Sequence, residues 1–241
     1  MTPALSLVIP AYNEQARLPY TLSEIEAFLC RAGIACEVIV VDNGSTDATS
    51  AVVLQAASRF SQLRLLRTDR RGKGLAVRTG VLAAHGASVI FADADLSWPV
   101  EDIARFTTLV SDPSTPVAIG SREGLGARRV GEPSYRHLMG RVFNRVVQAY
   151  AVPGIEDSQC GFKALRRDAA QAIFRRQRID GFAFDVEVLF LARRFGYTVR
   201  VVPLSWEHKE NSRVVPVRDT LLMLSDVARV RLNAWRGAYD P

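Results

Sequence analysis

Asp93-Ala94-Asp95 sets two carboxylates one residue apart, directly after the apolar run Val89-Ile90-Phe91-Ala92. Hard divalent cations prefer oxygen ligands, and Mg2+ or Mn2+ is commonly held by one or two carboxylates together with substrate phosphate. The pair therefore points to a site that binds Mg2+ or Mn2+ along with a diphosphate. A lone pair of this kind is also what a solvated acidic turn looks like, so its neighbours decide its weight. Three further polar clusters follow short apolar runs: Pro10-Ala11-Tyr12-Asn13-Glu14, Asp42-Asn43-Gly44-Ser45-Thr46-Asp47 and Arg71-Gly72-Lys73-Gly74. Asp47 alone reads equally well as a helix cap. Four clusters in succession describe a binding cleft.

Such a cleft needs a scaffold that brings the clusters to one edge. Leu5–Pro10, Glu37–Asp42, Leu63–Arg67 and Ser88–Ala92 read as strands, each short, apolar and bounded by turn or polar residues. Between them, Leu18, Leu22, Ile25 and Leu29 give one apolar helix face. Ser45-Thr46-Asp47 opens a second helix that runs through Ala51 to Ser58, and Gly74 to Ala84 forms a third. The alternation implies an α/β fold with a doubly wound, mostly parallel sheet and right-handed crossovers. In open sheets of this kind, ligands bind beyond the carboxyl ends of the strands. After Pro99 the pattern loosens into a helix (Val100–Val110), a strand (Pro116–Ser121), an arginine-rich loop and a helix from about Tyr135 to Tyr150. Loop and short strand over Gly154–Arg167, a helix over Phe184–Phe195 and a strand over Thr198–Leu204 complete it. No linker or repeat interrupts residues 1–241, which predicts one domain.

Composition agrees with a folded enzyme: 48% of the residues are apolar and 23% charged. No run approaches the roughly 20 apolar residues of a membrane span, and Met1–Ser6 has no basic leader. Cys30, Cys36 and Cys160 have no metal-ligand spacing and read as reduced packing residues of a cytoplasmic protein. The net charge of +6 suits an anionic partner, and six arginines stand between Arg122 and Arg145 against Glu123 and Glu132. Guanidinium forks match phosphate oxygens, although a solvated basic face has the same composition. Arg122 follows the strand end Ile119-Gly120-Ser121 and faces the same cleft, while Arg136 and Arg141 lie on the next helix. These three are candidate contacts for a phosphate group, joined by Lys163 with Gln159 behind it. Asp185 and Glu187 sit in an apolar helix, where they either reach the site or pair with an arginine. Nothing supports nucleic-acid binding beyond net charge. A dinucleotide oxidoreductase is disfavoured because the first strand does not lead into a Gly-x-Gly-x-x-Gly turn.

IPAYNE (9–14), VDNGSTD (41–47), RGKGLAVRTG (71–80) and DADLSWP (93–99) resemble the sugar-nucleotide half of family 2 glycosyltransferases with the GT-A fold. DSQCGFKAL (157–165), GFAFDVEVLFLA (181–192) and the tail Trp206, His208, Ser212-Arg213-Val214 are similar to dolichyl-phosphate and polyprenyl-phosphate glucosyltransferases. Dolichyl-phosphate mannose synthases are the next group. The resemblance divides the chain into a sugar-nucleotide half (1–100), an acceptor half (101–215) and a C-terminal helix (216–236). It implies that Pro10, Tyr12 and Glu14 line the base and ribose pocket and that Asp42 accepts hydrogen bonds from the base. Lys73 would approach the donor, and Asp93 and Asp95 would hold ribose and the metal–diphosphate unit, with Asp95 the direct ligand. Asn43 stands where the family often has a second aspartate, which affects only a secondary contact.

The implied reaction is inverting transfer of a hexose, glucose from UDP-glucose, to a polyprenyl phosphate. GDP-mannose as donor, or a glycan or small-molecule hydroxyl as acceptor, are the alternatives; a non-catalytic nucleotide-binding module is the reading from another class. Asp157 matches the family's catalytic acidic position, and orienting the acceptor or stabilising charge at the sugar is its expected role. Base chemistry is secondary, because a lipid phosphate is already anionic. Val217–Arg236 is amphipathic, with Leu221, Leu224, Ala228, Leu232 and Trp235 on one face, extended by Met223, Val227 and Val230. It either packs on the domain or in a dimer, or lies on the inner face of the cytoplasmic membrane. The tail around His208 is placed to close over the diphosphate.

Overall fold

A computed structural model describes residues 3–209 and 216–240, with the side chains of 134–136 and 216–219 outside the description. In chain order the elements are β1 (Leu5–Ala11), α1 (Leu18–Ala32), β2 (Cys36–Asp42), α2 (Thr49–Ala57), β3 (Leu63–Arg67), α3 (Lys73–Leu82), β4 (Ser88–Ala92), α4 (Asp102–Ser111) and β5 (Val117–Ser121). They continue as β6 (Arg128–Val130), α5 (Ser134–Tyr150), β7 (Phe162–Arg166), α6 (Arg167–Arg176), α7 (Phe184–Arg194), β8 (Val199–Pro203), β9 (Ser205–Glu207) and α8 (Pro216–Trp235). The seven-stranded sheet has the order β3-β2-β1-β4-β7-β5-β8, and β6 pairs separately with β9.

The strand sequences explain the layers. Leu5, Leu7, Ile9 and Ala11 alternate with Val8, and Val38 and Val40 with Ile39 and Val41, so each strand feeds two cores. One face of the sheet packs on α1, α2 and α4; the other carries α3, α5, α6, α7 and α8. Strands apolar on both faces belong in such a sandwiched, mostly parallel sheet.

β7 is the exception. It runs antiparallel to both β4 and β5, which flank it. Its beginning therefore lies at the edge where β1, β2, β3, β4 and β5 end, and residues 157–161 join the clusters that follow those strands. Arg122 reaches the same edge from the end of β5. Two elements were not read from sequence: α6, whose apolar face is only Ala169, Ala170, Ile173 and Phe174 among charged residues, and the three-residue pair β6–β9. Helix α2 starts at Thr49, later than Ser45-Thr46-Asp47 suggested. The N-cap position falls on Ala48, not Asp47, whose carboxylate accepts the backbone N–H of Thr49 at 2.9 Å and of Gln15 at 3.2 Å.

Helix α8 packs inward through Met223, Val227 and Val230, spaced four and three apart. Of the expected apolar face, Leu221, Ala228, Leu232 and Trp235 stay exposed, as does Leu222 beside them. No described helix is long and apolar enough to cross a membrane. No disulfide occurs among the described residues; Cys36 and Cys160 are buried and Cys30 is exposed. Burial pushes the thiols of Cys36 and Cys160 up to about 12.

Candidate active site

The turn after β4 is pinned from three directions. The indole N–H of Trp98 donates to the Asp93 carbonyl at 3.1 Å, and Trp98 in turn packs at a tilt against Phe162 with ring centres 4.7 Å apart. Thr21 Oγ1 donates to the Ala94 carbonyl at 2.7 Å, and the Asp93 N–H to the Gly161 carbonyl at 3.0 Å. Leu96 adopts φ 49°, a left-handed conformation unusual for a branched side chain, and the Ser97 N–H donates to Asp95 Oδ1 at 3.1 Å. Strain of about 1–3 kcal/mol at such a residue persists only where surrounding contacts impose it.

Both carboxylates remain partly open, 36% for the Asp93 side chain and 25% for Asp95. Lys73 Nζ lies 2.6 Å from Asp93 Oδ1. Burial pulls the Lys73 ammonium down, but Asp93 and then Asp185 more than offset it, so its pKa is raised and the cation persists. Asp95 Oδ2 has, among the described residues, only a long approach of 4.0 Å from Arg17 Nη1. Among the described residues no group of three or more His, Cys, Asp or Glu side chains could hold a metal ion. The donor set is thus two carboxylates with open oxygens, which fits a cation that shares its shell with substrate phosphate and not a closed protein cage.

Gly161 is a site residue that sequence reading missed. A Cβ there would run into the Asp93 carboxylate, so only glycine lets that side chain lie against the start of β7. The signal was the Cys160-Gly161-Phe162 step at the mouth of a short strand. Gly161→Ala is expected to push Asp93 off Lys73 and lower turnover by about 100-fold, since misplacement by about 1 Å carries that penalty. Steady-state rates at unchanged circular dichroism would check it.

The clusters after β1 and β2 interlock. Asn13, at φ 54°, donates its N–H to Ser45 Oγ at 3.0 Å, and the Thr46 N–H donates to Asn13 Oδ1 at 2.8 Å. Asp42 accepts the Ser45 N–H at 2.9 Å and the Ser50 hydroxyl. Burial opposes the Asp42 charge, but Ser45, Ser50 and Arg67 overcome this and hold its pKa below the usual range. Asn43 Oδ1 accepts the Gly72 N–H at 2.8 Å, so an amide oxygen serves where the family often has a carboxylate. Pro10 and Tyr12 are half-buried at this edge, and the Arg71 guanidinium covers the Tyr12 ring at 3.9 Å.

Three expectations need correction. Glu14 does not line a pocket with its carboxylate, because Arg17 takes both oxygens in a bidentate pair at 2.5 and 2.6 Å. Arg17, absent from the sequence reading, presents that guanidinium toward Asp95; its signal was the Glu14–Arg17 spacing of three. Lys163 is no contact for an acceptor phosphate: it is fully buried and donates to the Cys160 carbonyl at 2.6 Å and to Asp185 at 2.5 Å. Asp157 is not poised against a substrate either. It is fully buried and accepts the Arg122 N–H, Nε and Nη2, each at 2.8 Å. Burial works against its charge, yet Arg122 lowers its pKa to about 2. The Arg122 side chain itself is 19% exposed, and its guanidinium faces the Trp206 ring at 5.3 Å.

Of the other arginines, Arg129 is spent on Glu123 and Glu132 and on the Arg122 carbonyl. Arg141 is exposed on α5, and the Arg136 side chain lies outside the described residues. β9 brings the tail over the site: Glu207 N–H donates to the Ser97 carbonyl at 2.9 Å and His208 N–H to the Val130 carbonyl at 2.8 Å. Ser212, Arg213 and Val214 lie outside the described residues. Asp185 meets Lys163, and Glu187 takes the N–H groups of Arg178 and Ile179 and the Tyr239 hydroxyl, so among the described residues neither carboxylate pairs with a guanidinium.

Against known proteins, the model of glycosyl transferase family 2 matches residues 6–174. A dolichyl-phosphate beta-glucosyltransferase of Mus musculus is 36% identical over 252 residues, covering 99% of this chain and 78% of that protein. Among solved structures, mannosyl-3-phosphoglycerate synthase from Rubrobacter xylanophilus superposes with a TM-score of 0.72 at 18% identity, covering 99% of this chain and 76% of that one. Glucosyl-3-phosphoglycerate synthase from Mycobacterium tuberculosis, in complex with Mn2+ and UDP-glucose, gives a TM-score of 0.66 at 19% identity, covering 96% and 78%.

Proposed function

The chain belongs to glycosyl transferase family 2 and has its GT-A fold, and from that premise we propose that it transfers glucose from UDP-glucose to a polyprenyl phosphate with inversion at the anomeric carbon. The observation that carries this reading is the convergence, at one sheet edge, of Asp93 and Asp95 with the cations Lys73 and Arg122. Residues 1–100 supply the donor side, with Pro10, Tyr12 and Asp42 toward the nucleoside. Residues 101–215 supply the acceptor side. The choice of glucose and lipid phosphate follows relatives named dolichyl-phosphate beta-glucosyltransferase, including one from Saccharomyces cerevisiae at 32% identity.

Asp95, with Asp93 beside it, would hold Mg2+ or Mn2+; when bound, that cation offsets the charge growing on the departing diphosphate. Lys73 adds a fixed positive charge next to the same carboxylates, already oriented before reaction. Arg122 offers the acceptor phosphate the one part of its guanidinium that Asp157 and Trp206 leave open. A phosphate acceptor needs no deprotonation, and a carboxylate with a pKa of about 2 is far too weak a base for neutral pH. Asp157 thus works through Arg122.

The exposed Leu221, Leu222 and Trp235 of α8, with Leu138, Met139 and Val142 of the neighbouring α5, support a peripheral place on the cytoplasmic membrane. Exposed Arg141, Arg145 and Arg229 beside them suit an anionic bilayer.

The test uses radiolabelled UDP-glucose and GDP-mannose with a polyprenyl phosphate in anionic vesicles, or with soluble hydroxyl acceptors. Label is expected in the organic extract from UDP-glucose only, in the presence of lipid phosphate, with the protein sedimenting with the vesicles. Transfer from GDP-mannose, or to a soluble hydroxyl, would replace the donor or acceptor accordingly.

A further inference from the structure

Lys73 owes its position to a turn that belongs to the other half of the chain. The Asp180 carbonyl accepts the N–H of Gly74 at 2.8 Å and of Leu75 at 3.3 Å, so the amino end of α3 is capped by protein. The Asp180 carboxylate pairs with Arg70 at 3.1 Å and Arg78 at 2.9 Å, on either side of Lys73. Arg78 also donates to the Gln177 carbonyl at 2.9 Å. The approach is close enough that a Cβ at Gly72 would strike the Asp180 carbonyl, and one at Gly74 the Ile179 carbonyl. Backbone against backbone leaves little slack.

The turn is held in its own right by Glu187. This fully buried carboxylate accepts the N–H of Arg178 at 3.0 Å and of Ile179 at 2.8 Å. Its remaining donor comes from beyond α8: the Tyr239 hydroxyl lies 2.5 Å from Glu187 Oε1. Tyr239 is fully buried, steadied by Asn233 at 3.3 Å and by the Phe190 ring at 6.2 Å. A buried carboxylate with its donors in place fixes the groups around it; one donor short, it must find another partner or shift.

We propose that Glu187 and Tyr239 are positioning residues for the donor site, tying the C-terminal segment through the 177–180 turn to the loop that sets Lys73 against Asp93. The chain of contacts runs Tyr239, Glu187, Ile179, Asp180, Gly74, Lys73. It deepens the donor-site reading above and rests on it. Neither residue touches substrate; both act by keeping the Lys73 ammonium where a diphosphate meets Asp93.

The test is binding of UDP, with Mn2+, to the full chain by calorimetry, alongside amide exchange over residues 70–80. Tyr239→Phe and Glu187→Gln are expected to weaken UDP by about fivefold, a size common for residues coupled to a site without touching it, and to speed exchange at Gly74 and Leu75. Val230→Ala, which loosens the packing of α8 but leaves the hydroxyl–carboxylate bond and its neighbours in place, serves as the control at matched loss of thermal stability, with UDP affinity unchanged. Tyr239→Phe with parental UDP affinity and exchange would overturn the proposal, as would an equal loss in the Val230→Ala control. Failure of the parent chain to bind UDP would instead overturn the donor reading.

Discussion

Asp157→Ala is expected to yield a protein about 3–5 kcal/mol less stable than the parent, the usual penalty for removing one partner of a buried ion pair, and without transferase activity. Three donors from one residue converge on this carboxylate, and its side chain has no exposure. Without it, the Arg122 guanidinium loses its bidentate partner and the Arg122 N–H its acceptor. Asp157→Asn keeps the shape and one acceptor oxygen, so it should fold better and still turn over poorly, because Arg122 is no longer held by charge. Adding Arg122→Gln to Asp157→Asn should cost little more than either change alone, as expected when two residues act as one unit. Urea unfolding and steady-state rates on the parent, the three single variants and the double variant read this directly. An Asp157→Ala chain as stable as its parent would sink the account.

The pH dependence carries the same argument. The pKa of Asp157 is depressed to about 2 in the fold, against about 3.9 for an ordinary aspartate. A depressed carboxylate contributes stability that is complete above the unfolded value and is lost as pH falls toward 2. The loss, roughly 2–3 kcal/mol from the shift, should fall between about pH 4 and pH 2. Activity between pH 6 and pH 8 should therefore carry no ionisation from this residue. An acidic limb near neutrality that vanishes in Asp157→Asn would return Asp157 to the role of base.

How far the sequence could be read depended on whether the signal was local. The strands β1 to β4, the carboxylate pair and the clusters that follow each strand were legible because parallel strands buried on both faces are plain apolar runs, and because ligands gather at one edge of such a sheet. The direction of β7 was not, since no local pattern tells an antiparallel insertion from another parallel strand. That reversal is what brings Asp157 and Gly161 to the Asp93 edge. Glu14, Asp157 and Lys163 were read as charged residues near a site, but their partners Arg17, Arg122 and Asp185 are a matter of packing. A charge in an apolar setting says that a partner is needed; only the fold says which. The same holds for Glu187, whose partners are two backbone N–H groups and a tyrosine 52 positions away.

Asp95→Ala separates the two carboxylates of the pair. Among the described residues Asp95 accepts one hydrogen bond, from the Ser97 N–H, and the nearest cation to its other oxygen stands at 4.0 Å. Its loss should leave stability within about 0.5–1 kcal/mol of the parent, as for partly exposed groups in loose pairs. Turnover should fall by at least about 1,000-fold, since several kcal/mol of charge stabilisation at the diphosphate would go with it. Asp93→Ala should be less selective, because Asp93 also anchors Lys73 and packs on Gly161, so its removal disturbs the site even before a donor binds. The pair of measurements is unfolding in urea and UDP release with lipid phosphate, each with Mn2+ and with chelator. Chelator should reduce the parent to the level of Asp95→Ala and leave that variant unmoved, because both treatments remove the same interaction. Full parental activity in chelator would show that Lys73 and Arg122 carry the diphosphate charge alone, and Asp95 would then be a turn residue that accepts the Ser97 N–H.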